Sequence, residues 1–136
     1  MKKLINLTVA ATAALALTTS LHAMDVKKEC NVQANGINKV IASAKMYNDK
    51  AKKAGLEFRR LNVNNSDLIA SVEDAIKIGA KEVNPMHFKG KKKSKTKLET
   101  SYAAWRACSF AISALTQAQE AKKTWRLAIP GDGYKY

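Results

Sequence analysis

The sequence predicts an all-α protein, a small bundle of three or four helices. Three long segments repeat apolar residues every three or four positions, and no convincing strand pair stands between them. The chain also has two cysteines, Cys30 and Cys108, which fall on the inner faces of the first and last predicted helices. We therefore expect one disulfide to join these two helices across the core.

Residues 1–23 have the pattern of a cleavable signal peptide. Two lysines begin it, an apolar stretch follows over 4–17, and the small-residue site Leu21-His22-Ala23 ends it. The apolar stretch is shorter than the roughly 20 residues that span a bilayer, and no second long one follows. We expect an exported protein, periplasmic or secreted, whose mature part is one helical domain over 24–136 with no transmembrane segment.

Export also favours the disulfide, because thiols in oxidising compartments usually pair. Free buried thiols or an intermolecular bridge are the alternatives. The absence of a Cys-x-x-Cys motif excludes a thioredoxin-type redox site and c-type haem attachment.

The first helix is predicted from Val26 to the neighbourhood of Gly55, with Gly36 as a point where it could split. Residues 56–65 alternate loosely between apolar and polar types. They are predicted as a loop, because one strand would have no partner.

Asn65 or Ser66 is predicted to cap the second helix, which should end before Asn84-Pro85. Residues 89–97 contain six lysines and no carboxylate, so a flexible loop is expected there. The last helix follows from Leu98, with a short tail at 130–136 after it. Tyr102 and Trp105 are expected in the core of the bundle.

The charge indicates the class of partner. The chain has 24 Lys and Arg against 11 Asp and Glu. Since two of the lysines lie in 1–23, the mature part carries +11. Such an excess favours an anionic envelope component, namely lipopolysaccharide, anionic lipid or acidic polymer, or else an acidic protein. The candidate binding residues are the lysines of the basic loop: Lys89, Lys91, Lys92, Lys93, Lys95 and Lys97.

The loop could lie on an anionic membrane surface as a peripheral contact, and it could equally serve solubility alone. It contains no arginine, which argues against sequence-specific binding of nucleic acid. Phe88 and Trp125 are the possible interface aromatics. An alternative function is an inhibitor, immunity or chaperone-like accessory protein that binds one specific protein partner.

Catalysis is not expected from this sequence. His87 is the one histidine after residue 23, and nothing in the sequence identifies a nucleophile or carboxylate beside it. A zinc site with several imidazoles is excluded, no metal-ligand spacing is present, and no cofactor motif occurs. We therefore predict a binding protein without enzymatic activity.

Overall fold

The computed structural model describes residues 25–90 and 92–124, a part of the chain that is 64% helical. The predicted signal peptide at 1–23, Lys91, Trp125 and the tail at 130–136 lie outside the described residues. Five helices and four strands follow one another in the described part: α1 (Val26–Glu29), α2 (Val32–Asn35), α3 (Ile37–Lys53), β1 (Arg59–Arg60), β2 (Val63–Asn64), α4 (Asn65–Lys77), β3 (Glu82–Val83), β4 (Leu98–Glu99) and α5 (Thr100–Thr124).

The region predicted as one first helix contains three helices. Asn31 separates α1 from α2, and its side chain caps α2 by accepting a hydrogen bond from the Ala34 N–H at 3.0 Å. Gly36 has φ of 77° and separates α2 from α3, so the predicted break occurs. Gly55, with φ of 69°, lies just beyond the end of α3, which confirms the predicted stop.

The predicted disulfide between Cys30 and Cys108 is confirmed. Cys30 lies directly after α1 and Cys108 near the middle of α5, and both are fully buried. The bond therefore fastens the two single-turn helices to the longest helix.

The core is built around close packing of α3 against α5, with α4 covering both. Small residues from α3 and α5 fill much of it, and the buried ones are Ala44, Ala51, Ala103, Ala104, Ala107 and Ala111. Small side chains let helix backbones approach closely, so little room is left for aromatic rings. The expectation that Tyr102 and Trp105 belong to the core is wrong, since they are 46% and 40% exposed.

The expectation of a fold without strands is also corrected. β1 pairs antiparallel with β2, and β3 pairs antiparallel with β4. The first pair connects α3 to α4, and the second connects α4 to α5. Each strand has a partner because the chain reverses direction between the two strands of a pair. Alternation of apolar and polar side chains alone does not reveal such a reversal.

A buried polar network fixes the start of α4. The Asn65 side chain donates hydrogen bonds to Asn48 Oδ1 on α3 at 3.0 Å and to the Ala107 carbonyl on α5 at 2.9 Å. Asn48 and Asn65 are each only 2% exposed. Since buried amides are costly when unpaired, these bonds define how the three long helices meet. The β1–β2 pair leads directly into α4, and the Asn65 N–H donates a 2.9 Å hydrogen bond to the Phe58 carbonyl just before β1.

Candidate functional site

The two strands of the first hairpin, residues 59–64, are joined by a two-residue turn. Leu61 and Asn62 form the turn and have positive φ values of 49° and 62°. This is the backbone of the tight hairpin turn that normally uses Asn-Gly or Asp-Gly, because both positions are left-handed. Asn62 suits that conformation and Leu61 does not. Leu61 is also 75% exposed, so no burial compensates for its backbone conformation.

The second hairpin, residues 82–99, contains the lysine-rich segment. Beyond the β3–β4 pair, it is extended by hydrogen bonds from the His87 N–H to the Lys92 carbonyl and from the Ser94 N–H to the Pro85 carbonyl, both 2.8 Å. A bridge between Met86 and Lys93 continues the antiparallel arrangement. Within the segment predicted as a flexible loop, Lys92, Lys93 and Ser94 are therefore paired with residues 85–87.

The two hairpins contact each other near their tips. The Phe88 N–H donates a hydrogen bond of 2.9 Å to the Asn62 carbonyl in the first turn. The Arg59 guanidinium lies over the Phe88 ring at 4.1 Å, and Lys89 Nζ is 5.8 Å from the same ring. Cations attracted to an aromatic face in this way are gathered beside Leu61.

A small cleft lies between the two hairpins and α5. Its volume is about 40 Å³, and Arg60, Leu61 and Arg106 are among the residues that line it. A water molecule needs roughly 10–15 Å³ on this measure, so the cleft could hold a few waters or one small charged group. It is far smaller than the several hundred Å³ typical of sites for drug-sized molecules. A larger partner would have to lie across its mouth.

We call Arg59, Arg60, Lys89 and Arg106 the basic tip. In the described ranges 25–90 and 92–124, none of these four residues takes part in an ion pair. Arg59 is held in place by a 2.7 Å hydrogen bond from its Nε to Asn64 Oδ1. The basic tip thus presents positive charge that the described carboxylates leave unneutralised.

The predicted lysines do not all belong to this surface. Lys89 is part of the basic tip, whereas Lys97 forms an ion pair of 3.4 Å with Glu82. Lys93 borders a groove that also includes Asp74 and Glu82. Lys92 and Lys95 are exposed, and Ser94 and Thr96, rather than lysines, line the cleft. The lysine run is therefore divided between the two sides of its hairpin.

The predicted aromatic Phe88 is half-buried beneath Arg59 and Lys89, so it acts as a platform for cations. Sequence reasoning did not assign Arg60, Arg106 or Leu61 to a site. The adjacent arginines were visible in the sequence, but the fold is needed to bring Arg60 to the same cleft as Arg106, 46 residues further along the chain.

A second exposed feature lies on α5. The rings of Tyr102 and Trp105 stack at a centroid distance of 5.5 Å, with 28° between their planes. Exposed Trp and Tyr residues are frequent anchors of protein interfaces. Trp105 directly precedes Arg106 of the basic tip in the chain.

Other polar groups have structural explanations. Glu57 accepts hydrogen bonds from the backbone and hydroxyl of Ser66, at the first turn of α4, and from Asn48. This arrangement caps a helix.

Within the described residues, no three His, Cys, Asp or Glu side chains come together as a metal site. No helix in the described ranges has both the length and the hydropathy required to cross a bilayer.

The chain matches no protein-family model, no curated protein and no solved structure. The surface is therefore interpreted from its own residues.

Proposed function

We propose that the protein is an exported, non-enzymatic binding protein that engages an anionic component of the cell envelope. The observation that carries the proposal is the basic tip, three arginines and a lysine with no carboxylate partner among the described residues. Arginine forks are well suited to phosphate and carboxylate groups, because they donate two parallel hydrogen bonds.

The dimensions of the cleft support a surface rather than an enclosed ligand site. A space of about 40 Å³ has room for no more than a small group such as one phosphate or carboxylate, and Arg60 and Arg106 are among the residues that line it. The rest of a large partner would stay outside. Lipopolysaccharide, anionic lipid and acidic polymers all repeat such groups along a surface. The mature charge of +11 adds long-range attraction that salt should screen.

The test compares two variants with equal loss of charge. Arg60→Gln, Lys89→Gln and Arg106→Gln together alter the basic tip, and Lys93→Gln, Lys95→Gln and Lys97→Gln alter the other side of the lysine hairpin. Binding of the oxidised protein to phosphatidylglycerol-containing vesicles and to heparin is measured over a range of salt concentrations. Each basic residue near an anionic lipid surface contributes about 1 kcal/mol, so the tip variant should bind the vesicles roughly 100-fold more weakly.

The control variant should lose much less affinity, since Lys97 already pairs with Glu82 and Lys93 borders acidic groups. Equal losses in the two variants would show that binding follows net charge alone and would overturn the assignment to the basic tip. If the unaltered protein binds neither the vesicles nor heparin at low salt, the proposed function itself is wrong.

The Tyr102–Trp105 pair favours a second candidate, an accessory protein that binds one specific protein partner. Aromatic anchors in a packed interface resist salt, unlike contacts dominated by exposed charge. In an envelope extract, this candidate requires one stoichiometric protein that stays bound at high salt. That protein should be lost when Trp105→Ala is introduced and retained by the tip variant.

A further inference from the structure

We infer that the tip of the first hairpin is a membrane wedge: Leu61 inserts into the interface of an anionic bilayer while the basic tip contacts the lipid headgroups. The inference rests on the proposed function and selects a bilayer as the anionic partner. It follows from three properties of Leu61, namely its backbone conformation, its exposure and the charges around it.

The backbone conformation is the first of these. Leu61 occupies the left-handed region, with φ of 49°, at a turn position where Asn, Asp or Gly would fit without strain. Sterically costly backbone conformations persist where the surrounding structure enforces them, and they concentrate at ligand-contacting sites. The β1–β2 pairing and the hydrogen bond from Phe88 to Asn62 enforce this turn.

Exposure is the second property. The side chain is 75% exposed, so in water it gains little from burial and contributes little to the core. A leucine at the extremity of a braced turn can enter the boundary between headgroups and acyl chains without any rearrangement of the fold.

The surrounding charge identifies the partner. Arg59 and Arg60 precede Leu61 in the chain, Arg106 lines the same cleft, and Lys89 lies over the neighbouring Phe88 ring. Basic residues around an apolar side chain match a surface that offers anionic headgroups above an apolar layer. A soluble polyanion offers the charge but no apolar layer, so it would leave Leu61 unused.

The molecule also contains a matched control. Ile78 follows α4 at the end opposite the first hairpin and is 80% exposed. With Asp74 and Glu82 it borders a groove, so acidic rather than only basic groups surround it. α4 has 13 residues, which places about 20 Å between its ends. The lysines at that end, Lys77 and Lys97, form ion pairs with Asp74 and Glu82. An anionic membrane should therefore attract the Leu61 end more strongly than the Ile78 end.

The experiment uses Leu61→Asn, with Ile78→Asn as the control. Asparagine suits the left-handed turn, so Leu61→Asn should raise the thermal unfolding midpoint by a few degrees. It should nevertheless reduce partition onto phosphatidylglycerol-containing vesicles about tenfold, by removing the apolar insertion. Binding to heparin should fall much less, because heparin offers no apolar layer for Leu61 to enter. Ile78→Asn should leave both binding measurements at the level of the unaltered protein.

Two results would overturn the wedge while leaving anion binding intact. One is undiminished vesicle binding by Leu61→Asn. The other is an equal loss of binding to vesicles and to heparin, which would indicate a general effect on the basic tip. If the unaltered protein binds neither probe, the proposed function fails first and the wedge fails with it.

Discussion

Glu57 caps the N-terminus of α4 in place of Asn64, the residue at the N-cap position. Asn64 is the N-cap residue of α4, but its side-chain oxygen accepts a hydrogen bond from Arg59 and makes no cap. Glu57 takes over by accepting the Ser66 N–H at 2.8 Å. Partial burial acts to raise the pKa of Glu57, but hydrogen bonds from Ser66 and Asn48, with a smaller effect of Lys52, hold it below the ordinary 4.5.

A depressed pKa makes the stabilising effect of Glu57 dependent on pH. Its ionised form adds stability above the ordinary pKa, and that stability disappears as pH falls through the lower pKa of the folded state. We expect Glu57→Gln to lower the free energy of unfolding by about 1 kcal/mol at neutral pH, because a charged cap and its helix-dipole interaction are lost.

Urea denaturation at a series of pH values checks this expectation. The difference between Glu57→Gln and the unaltered protein should narrow as pH falls below 4.5. A constant difference across that range would mean that the carboxylate charge has no part in the cap.

At the scale of elements, the sequence was sufficient for the three long helices, although not for all of their ends, and insufficient for the two short helices and the hairpins. The apolar period identifies α3, α4 and most of α5, and Gly36 and Gly55 mark real boundaries. The hairpins depend on tertiary partners: the turn at 61–62 lacks glycine, and residues 92–94 of the lysine segment pair with 85–87 despite the charge of the segment. Composition therefore identified a basic region but could not give its geometry.

The face of α5 was misjudged for a related reason. Tyr102, Trp105 and Cys108 follow helical spacing, so hydrophobicity alone places all three inside. The structure buries Cys108 together with the alanines around it and leaves the two aromatic residues outside. Close contact with α3 selects small side chains, and the sequence of one helix does not reveal how closely its neighbour approaches.

The disulfide is expected to matter most for α1 and α2. Neither helix contains a fully buried residue of its own, and each is only four residues long, so they depend on the bond between Cys30 and α5. With a sequence separation of 78, loop closure predicts about 4.5 kcal/mol of stabilisation. Replacing both cysteines by alanine should therefore leave a marginal fold.

Hydrogen exchange separates the local from the global effect of this change. Amides of residues 26–36 should lose nearly all protection in the Cys30→Ala, Cys108→Ala protein, while those in the middle of α3 keep part of theirs. Preserved protection over 26–36 would show that packing, rather than the bond, holds these turns.

At the scale of the molecule, charged residues are distributed differently at the two ends of α4. The basic tip lies at the end of α4 where that helix begins, and Asp74 and Glu82 lie at the end where it finishes. An anionic surface would orient such a molecule before any contact forms. The disulfide and the three long helices supply the rigid support that keeps the two hairpin tips together.

The export proposal predicts the covalent form of the isolated protein. A chain expressed with its own first 23 residues in a bacterial host should be recovered from the envelope beginning at Met24. Oxidation should join Cys30 to Cys108, so its intact mass should equal that of residues 24–136 less two hydrogens, with no thiol open to alkylation. Ala23→Arg should block cleavage, because the processing site requires a small residue, and should retain the precursor mass. Recovery of the unaltered chain at full length with two alkylatable thiols would contradict export, and with it the envelope partner that the basic tip is proposed to bind.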